Sequence, residues 1–265
     1  MTLARTPPSP PRSLTPMPRS LLLGVFTIGI AACGQLAGSQ VPEVVRILPH
    51  DPEASTQGLE LYEGRFYEST GQYGDSKLRE VDVETGQVLR EVELSEDYFG
   101  EGLARVGNEL IQLTWHEGVA FVYDLDTFAQ VRTFQYEGEG WGLCYDGEAL
   151  FMSNGSSILH RRNPATFEIL DSHEVTSGGS PVRNLNELEC VGDVLFANVF
   201  QSDRILQIDK ASGRVLAEFD ASTLQPTGGR PRDVRAVLNG IAHDPVAGTF
   251  FVTGKLWPSM FEVRF

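Results

Sequence analysis

The chain has few basic residues, and lysine is especially scarce. Its 265 residues include 21 Lys and Arg against 36 Asp and Glu, which gives a formal net charge of −15. The lysines are Lys77, Lys210 and Lys255. A protein that binds nucleic acid needs a basic surface to neutralise phosphate groups. We therefore expect no nucleic-acid partner for this chain.

The common motifs for metals, nucleotides and nucleophilic serine are also missing. The sequence contains no H-E-x-x-H, no Walker loop, no dinucleotide glycine fingerprint and no G-x-S-x-G elbow. Its five histidines show no ligand spacing, so we do not expect zinc. The sequence predicts neither a metal site nor a cofactor.

The three cysteines are too few for a disulfide framework. Cys144 and Cys190 both follow the apolar marker of a repeat described below, which suggests equivalent places in neighbouring sheets. Sheets that pack face to face lie about 10 Å apart, more than the usual Cα separation of a disulfide. We expect two buried free thiols, although an exported location would permit a bridge.

Long apolar runs are confined to the N-terminal region, where Leu21–Ala32 follows two arginines. A basic flank, a short apolar stretch and small residues predict a secretory signal at residues 1–32. The run is too short to span a bilayer in the mature protein. Its I-A-A-C ending resembles a bacterial lipobox, which would make Cys33 the lipidated first residue; an ordinary signal peptide is the alternative. We expect an exported, periplasmic protein that contacts the membrane only through this anchor, with residues 33–43 as a linker.

Helical patterns are nearly absent, and in their place the sequence repeats one hairpin five times. Each copy begins with a polar or aromatic residue, continues through an apolar marker and turns into a second apolar strand. The markers lie 44, 40, 45 and 53 residues apart, and such a period is typical of a β-propeller. They are Leu59, Leu103, Leu143, Leu188 and Ile241. Asp/Asn-x-x-Thr/Ser turns between the copies indicate a second hairpin in each unit. We therefore predict an all-β, five-bladed β-propeller over residues 44–265.

The fifth unit lacks one strand at its C-terminal end. Val44–Leu48 has a strand pattern and precedes the first unit, so it can complete the last blade. This would close the ring and remove open sheet edges. A two-sheet sandwich is the alternative fold, but it does not explain the even spacing.

Aligning the repeats predicts which side chains meet at the axis. The starts of the first strands are Gln57, Glu101, Trp141, Asn186 and Asn239. The positions just after the second strands are Thr70, Trp115, Gly155, Phe200 and Lys255. In an antiparallel hairpin these two positions are adjacent, so both sets should surround one mouth of the channel. Mixed charged, amide and aromatic groups there favour a binding pocket over a merely wet channel.

Motifs at these same positions resemble the plant and bacterial type of glutaminyl-peptide cyclotransferase, over about residues 44–265. Among them are Phe99–Leu103, Glu139–Leu143, Leu185–Glu189 and Thr253–Pro258. The resemblance implies a five-bladed propeller that acts without catalytic zinc or another cofactor. It also implies conversion of N-terminal glutamine to pyroglutamate with release of ammonia. The expected partners are peptides or proteins with N-terminal glutamine, and we expect a monomer.

The resemblance also implies roles for individual residues. The catalytic carboxylate corresponds to Glu101, with Lys255 and Asn186 as further catalytic groups. The expected substrate-binding residues are Gln57, Trp115 and Trp141 from the resemblance, and Phe200 and Asn239 from the repeat alignment. The family usually has tryptophan where this chain has Phe200, and phenylalanine where it has Ser55, so one pocket wall should be wider.

Two other functions remain open from the sequence. In a calcium-dependent propeller hydrolase or lactonase, the oxygens of Glu101, Asn186 and Asn239 would hold a hard cation. Trp141 and Lys255 at the same mouth oppose that interpretation. A non-catalytic, lipid-anchored binding propeller is the other alternative.

Overall fold

The computed structural model describes residues 1–2, 7–9 and 39–265. The predicted lipidation site Cys33 lies outside the described residues, as does nearly all of the predicted signal peptide 1–32. Within the described residues the regular structure is β-strand, apart from one 3₁₀ turn at Ala221–Thr223. None of the helices in this described part is long and apolar enough to cross a membrane.

Twenty of the strands form five four-stranded antiparallel sheets. The first strand of the chain, β1 (Glu43–Pro49), belongs to the last sheet. The first sheet contains β2 (Thr56–Tyr62), β3 (Arg65–Thr70), β4 (Lys77–Asp82) and β5 (Val88–Glu93). The second contains β6 (Gly100–Val106), β7 (Glu109–Thr114), β8 (Val119–Asp124) and β9 (Gln130–Gln135). The third contains β10 (Leu143–Tyr145), β11 (Leu150–Met152), β12 (Ile158–Arg162) and β13 (Ile169–Glu174).

A small hairpin, β14 (Thr176–Ser177) and β15 (Ser180–Pro181), separates the third sheet from the fourth. The fourth sheet contains β16 (Leu185–Val191), β17 (Val194–Val199), β18 (Arg204–Asp209) and β19 (Val215–Asp220). The fifth contains β20 (Leu238–Asp244), β21 (Thr249–Gly254), β22 (Ser259–Arg264) and β1.

The buried apolar residues show that these sheets form a ring. They divide into five clusters, and each cluster combines side chains from two neighbouring sheets. One of the five joins the first sheet to the last, through residues such as Leu59 and Phe251. Alternating strand residues bury both faces of each sheet in this way. The prediction of a five-bladed β-propeller is confirmed.

The predicted Asp/Asn-x-x-Thr/Ser turns connect the third and fourth strands of the first four blades. In the first, Asp82 Oδ1 accepts hydrogen bonds from Thr85 N at 3.0 Å and from Thr85 Oγ1 at 2.8 Å. Asp124 and Thr127 make the same pair of contacts, as do Asp209 and Ser212. These side chains satisfy backbone donors that would otherwise be exposed in the turn. The turn chemistry is local, which explains why the sequence alone reveals it.

The ring closes as predicted, by pairing of the N-terminal strand with the C-terminal one. β1 lies antiparallel to β22, from Glu43 opposite Arg264 to Pro49 opposite Ser259. Just before β1, Gln40 pairs with β19 of the fourth blade, where Gln40 N donates to Glu218 O at 2.9 Å. Part of the predicted linker 33–43 therefore lies against the propeller.

Buried charges attach the end of β1 to the first blade. His50 follows β1, and its Nδ1 lies 2.7 Å from Trp257 O while its Nε2 lies 3.0 Å from Glu68 Oε1. Arg79 donates to Glu68 at 2.6 Å and to Asp51 at 2.7 Å. Although burial opposes it, the Glu68 carboxylate raises the pKa of His50 above its ordinary value. With both ring nitrogens donating, His50 completes a charged network where the last blade meets the first.

The expectation of free thiols at Cys144 and Cys190 is wrong, because the two form a disulfide with a Cα separation of 5.5 Å. Cys144 lies one residue after its marker and Cys190 lies two residues after. Successive side chains on a strand point to opposite faces, so this offset turns the two sulfurs toward each other. The innermost strands of neighbouring blades also converge at the axis, so the spacing of flat stacked sheets does not apply here.

Glycines allow this convergence just inside the mouth of the channel. A Cβ on Gly58 would lie 2.4 Å from Leu103 N, and one on Gly142 would lie 2.0 Å from Asn186 O. Neighbouring backbones are therefore in direct contact at these positions, which excludes any side chain. This close packing holds the five strand starts around a narrow opening.

Candidate active site

Irregular pairing at the start of the inner strands aims the axis residues into the channel. The register between the first two strands of a blade shifts between Thr56 and Gly58, between Gly100 and Leu103, and between Leu185 and Leu188. The fifth blade shows the same shift at Leu238 and Ile241. A bulge turns a side chain out of the regular alternation. The residues inside these shifts include the predicted axis positions.

These side chains line a pocket of about 140 Å³ at the mouth of the channel. The lining residues are Gln57, Phe99, Glu101, Trp115, Trp141, Asn186, Phe200 and Lys255. Seven of them were predicted from the repeat alignment and the family resemblance. Phe99 lines the pocket but was not predicted, whereas Asn239, Thr70 and Gly155 were predicted at the mouth but do not line the pocket.

Glu101 lies at the bottom of the mouth with 5% of its surface exposed. No donor among the described residues hydrogen-bonds to its carboxylate, so the oxygens are free to meet a bound molecule. Burial raises the pKa of Glu101 well above the ordinary value; Lys255 counteracts this, while Glu139 and Glu117 add to it. A raised pKa makes the carboxyl a stronger base than an ordinary glutamate, which suits a group that accepts a proton and returns it.

Lys255 shares the pocket with Glu101 and is almost as buried, at 8% exposed. Burial lowers the pKa of Lys255, and the carboxylate of Glu101 raises it in part. Its Nζ lies 5.4 Å from the centre of the Phe200 ring, which can stabilise the ammonium through its π face. Of the three lysines, this one supplies a cation to the pocket.

Two carboxamides complete the polar side of the pocket. Gln57 is held by Asn239, whose Nδ2 donates to Thr56 O at 3.0 Å and to Gln57 Oε1 at 3.4 Å. This leaves Gln57 Nε2 as a donor toward the pocket. Asn186 is 2% exposed, and its buried Oδ1 has no hydrogen-bond partner within the described part of the chain. Asn239 thus supports Gln57 from behind and does not itself line the pocket.

The aromatic side of the pocket comes from four rings on three blades. Trp115 and Trp141 are half-buried, and each donates its indole N–H to Glu139 Oε2, at 2.9 Å and 2.8 Å. Phe200 packs edge-on against Trp141 with 5.5 Å between ring centres, and Phe99 packs against Trp115 at the same separation. These rings make the pocket largely apolar, with its charged groups on one side.

Phe99 and Glu139 share a repeat position that the sequence alignment passed over. Each lies two residues before the axis residue of its blade, Glu101 or Trp141. Both residues lie in the segment that leads into the first strand of the blade, close to the mouth of the channel. Examining the alignment two positions upstream would therefore have found both.

A carboxylate closes the axis directly below the pocket. Most blades have glycine after the axis residue, but the fourth has Glu187. Its carboxylate accepts from Ile241 N at 2.8 Å and from Leu59 N at 3.4 Å, on two other blades. Burial and nearby Glu189 raise the pKa of Glu187 well above its ordinary value. Glu187 therefore holds three blades together under the floor of the pocket.

The geometry does not favour the calcium alternative. That reading needs oxygens of Glu101, Asn186 and Asn239 around one cation, yet Asn239 is turned toward Gln57. Lys255 also lines this pocket, and its ammonium would repel a bound cation. Among the described residues no group of three or more His, Cys, Asp and Glu side chains is arranged to hold a metal ion.

Comparisons with known proteins agree with this geometry. The chain is 41% identical to glutaminyl-peptide cyclotransferase from Arabidopsis thaliana, over 94% of this chain and 82% of that protein. The crystal structure of Myxococcus xanthus glutaminyl cyclase matches with a TM-score of 0.80 and 42% identity, covering 85% of this chain and 97% of the other. A family model described as glutamine cyclotransferase matches residues 22–265. The chain therefore belongs to the glutamine cyclotransferase family.

Proposed function

We propose that the pocket converts the N-terminal glutamine of peptides and proteins to pyroglutamate and releases ammonia. The observation that carries this proposal is the buried carboxylate of Glu101, which accepts no hydrogen bond from the described residues. It shares a pocket with Lys255, and the walls of that pocket are aromatic. The pocket is about 140 Å³, which suits a single folded-back side chain. The names of the two similar proteins support the same reaction.

The chemistry is an intramolecular aminolysis. The α-amine nitrogen forms a bond to the side-chain amide carbon, and Glu101 takes a proton from that nitrogen. The carbon–nitrogen bond of the amide then breaks, and Glu101 returns the proton to the leaving nitrogen, which departs as ammonia. Positioned proton transfer of this kind contributes about 10²–10⁴-fold to the rate.

The other pocket residues serve the same reaction. Because the reaction closes a ring within one residue, the enzyme must mainly hold the folded-back conformer, and the walls of Trp115, Trp141 and Phe200 can do this. The Lys255 ammonium and the amide of Gln57 can stabilise the oxyanion that forms on the amide oxygen. Asn186 Oδ1, which lacks a partner among the described residues, can accept from the substrate amine or amide.

The decisive test is the Glu101→Gln variant, assayed with a glutaminyl dipeptide by ammonia release and by the mass of the product. We expect kcat to fall by about 10²-fold or more, because a carboxamide cannot shuttle the proton. The circular dichroism spectrum should remain that of the wild-type protein. A wild-type protein that released no ammonia from any glutaminyl peptide would instead support a non-catalytic binding propeller.

Treatment with a chelator distinguishes the proposed proton shuttle from the calcium-dependent alternative. Dialysis against a chelator should leave ammonia release unchanged. A loss of activity that added calcium restored would reject the proton shuttle as the complete mechanism.

We also propose that the protein is exported to the periplasm and anchored by a lipid on Cys33, after removal of residues 1–32. The sequence pattern around Cys33 supports this, and a Cys144–Cys190 disulfide suits an oxidising compartment. Peptides with N-terminal glutamine are the proposed partners, and the protein is proposed to act as a monomer. The intact mass of the protein from a membrane fraction would reveal the lipid or its absence.

A further inference from the structure

One carboxylate oxygen lies between the two tryptophans of the pocket. Glu139 Oε2 accepts the indole N–H of Trp115 at 2.9 Å and that of Trp141 at 2.8 Å. Trp115 follows β7 of the second blade, whereas Trp141 precedes β10 of the third. A single atom therefore ties together pocket walls that belong to different blades.

Packing alone does not fix these two indoles. Both tryptophans and Glu139 itself are half-buried, so part of each ring faces the open mouth. On the other side of Trp115 the ring of His116 stacks at 3.8 Å, and His116 Nδ1 lies 3.6 Å from Glu139 Oε1. Rings at an open mouth can change rotamer unless a polar anchor holds them. Glu139 supplies that anchor for both.

We propose that Glu139 is a positioning residue that sets the width of the aromatic pocket through its shared hydrogen bonds to Trp115 and Trp141. This inference rests on the proposed function, because it assigns the tryptophans to the wall against which the substrate folds. A ring closure depends on small displacements of the reacting atoms, so loosened indoles should weaken binding of the reactive conformer. Glu139 itself does not line the pocket, so we assign it no direct part in the chemistry.

The nearby carboxylate of Glu117 makes it possible to distinguish the effect of Glu139's negative charge from the effect of its hydrogen bonds to the indoles. Both Glu117 and Glu139 raise the pKa of Glu101 by their negative charge. Glu117, however, accepts from the Tyr73 hydroxyl at 2.7 Å and from Phe99 N at 3.5 Å, and from neither indole. Glu117→Gln is therefore a matched control that removes a rim charge and leaves the two indole bonds intact.

The kinetic test compares Glu139→Ala, Glu139→Gln and Glu117→Gln with the wild type on one glutaminyl peptide. We expect Glu139→Ala to raise KM about tenfold or more, because both indoles lose their acceptor. Glu139→Gln should stay within about twofold of the wild-type KM, since its amide oxygen can accept from both indoles. Glu117→Gln should behave like Glu139→Gln. Equal damage from Glu139→Gln and Glu139→Ala would overturn the proposal in favour of a charge effect, and an unchanged KM in Glu139→Ala would overturn it outright.

A second readout does not depend on activity. The chain has three tryptophans, and the buried Trp257 donates its indole N–H to Ala236 O instead. In an ¹⁵N–¹H spectrum, Glu139→Ala should shift two indole N–H signals upfield and leave the Trp257 signal in place. Glu139→Gln should retain all three near their wild-type positions. Two unmoved signals in Glu139→Ala would refute the shared bond, whereas a wild type inactive on every peptide would refute only the proposed reaction.

Discussion

Burial of Glu101 suits its proposed role as a proton shuttle but opposes folding. The pocket removes its carboxylate from water, and burial is the main reason that its pKa lies well above the ordinary value. The native state then binds a proton more tightly than the unfolded chain does. Stability consequently falls as pH rises from the ordinary carboxyl range through the raised pKa of Glu101.

This predicts a pH-dependent gain in stability for Glu101→Gln, the variant in which we expect turnover to be lost. At about pH 4 and below, the carboxyl is protonated in both states, so the variant and wild-type proteins should have similar melting temperatures. At pH 8 the variant should melt at a higher temperature, because a tenfold difference in proton affinity corresponds to about 1.4 kcal/mol. Thermal unfolding at both pH values tests this. A variant less stable than wild type at pH 8 would mean that Glu101 makes favourable native contacts as a carboxylate.

The sequence identified most of the pocket residues because a repeat places equivalent positions around one axis. Glu101, Asn186 and Lys255 could be located in this way, since only their place in the repeat mattered. The orientation of Asn239 could not be predicted in this way. Its amide could face either the open pocket or Gln57, and contacts with the neighbouring blade turn it toward Gln57. Glu139 was missed for a similar reason, since an indole acceptor is recognisable only once both tryptophans are placed.

At the scale of strands, the inner strands carry glycine where neighbouring backbones touch. Gly142 illustrates this, because a Cβ there would lie 2.0 Å from Asn186 O and 2.9 Å from the Cα of Glu187. Asn186 lines the pocket, so any shift of β16 reaches the site. The spacing of inner strands is thus part of the geometry of catalysis.

We therefore expect Gly142→Ala to lose about 1–3 kcal/mol of stability and to raise KM. The matched control is Gly147→Ala in the β10–β11 turn, where a Cβ would meet nothing within 4 Å but φ is 97°. That variant should lose about 1–3 kcal/mol through backbone strain and leave KM unchanged. Urea unfolding and steady-state kinetics on the two variants make the comparison. A wild-type KM in Gly142→Ala would show that the blades can separate without disturbing the pocket.

At the scale of the whole molecule, several contacts between distant parts of the chain close the ring, within the last blade and between neighbouring blades. β1 pairs with β22 in the last blade, His50 joins that blade to the first, and Gln40 pairs with the fourth. The Cys144–Cys190 disulfide connects the third and fourth blades across 46 residues. Each of these contacts joins elements that are distant in sequence. The disulfide restricts the unfolded chain, and the hydrogen-bonded contacts oppose partial opening of the ring.

For the disulfide this predicts a melting temperature that depends on reductant. In the chain-entropy view a loop of this length contributes up to about 4 kcal/mol, so reduced protein should melt at a lower temperature than oxidised protein. The Cys144→Ala/Cys190→Ala double variant should melt near the reduced protein and show no further response to reductant. Titration of both thiols in unfolded, unreduced protein would contradict the bridge.

The properties that depend on the repeat period and on local turn chemistry could be predicted from the sequence. Five hairpins with markers 40 to 53 residues apart, Asp-x-x-Thr turns and a missing last strand were enough for the propeller and its closure. Each of these features can be recognised from the order of residues along the chain. Tertiary structure decided the facts that depend on distances between blades. The convergence of inner strands brings Cys144 to Cys190, turns Asn239 behind Gln57 and places Glu139 between two indoles. Those contacts join residues from separate repeats, and only the packed ring sets the separation between them.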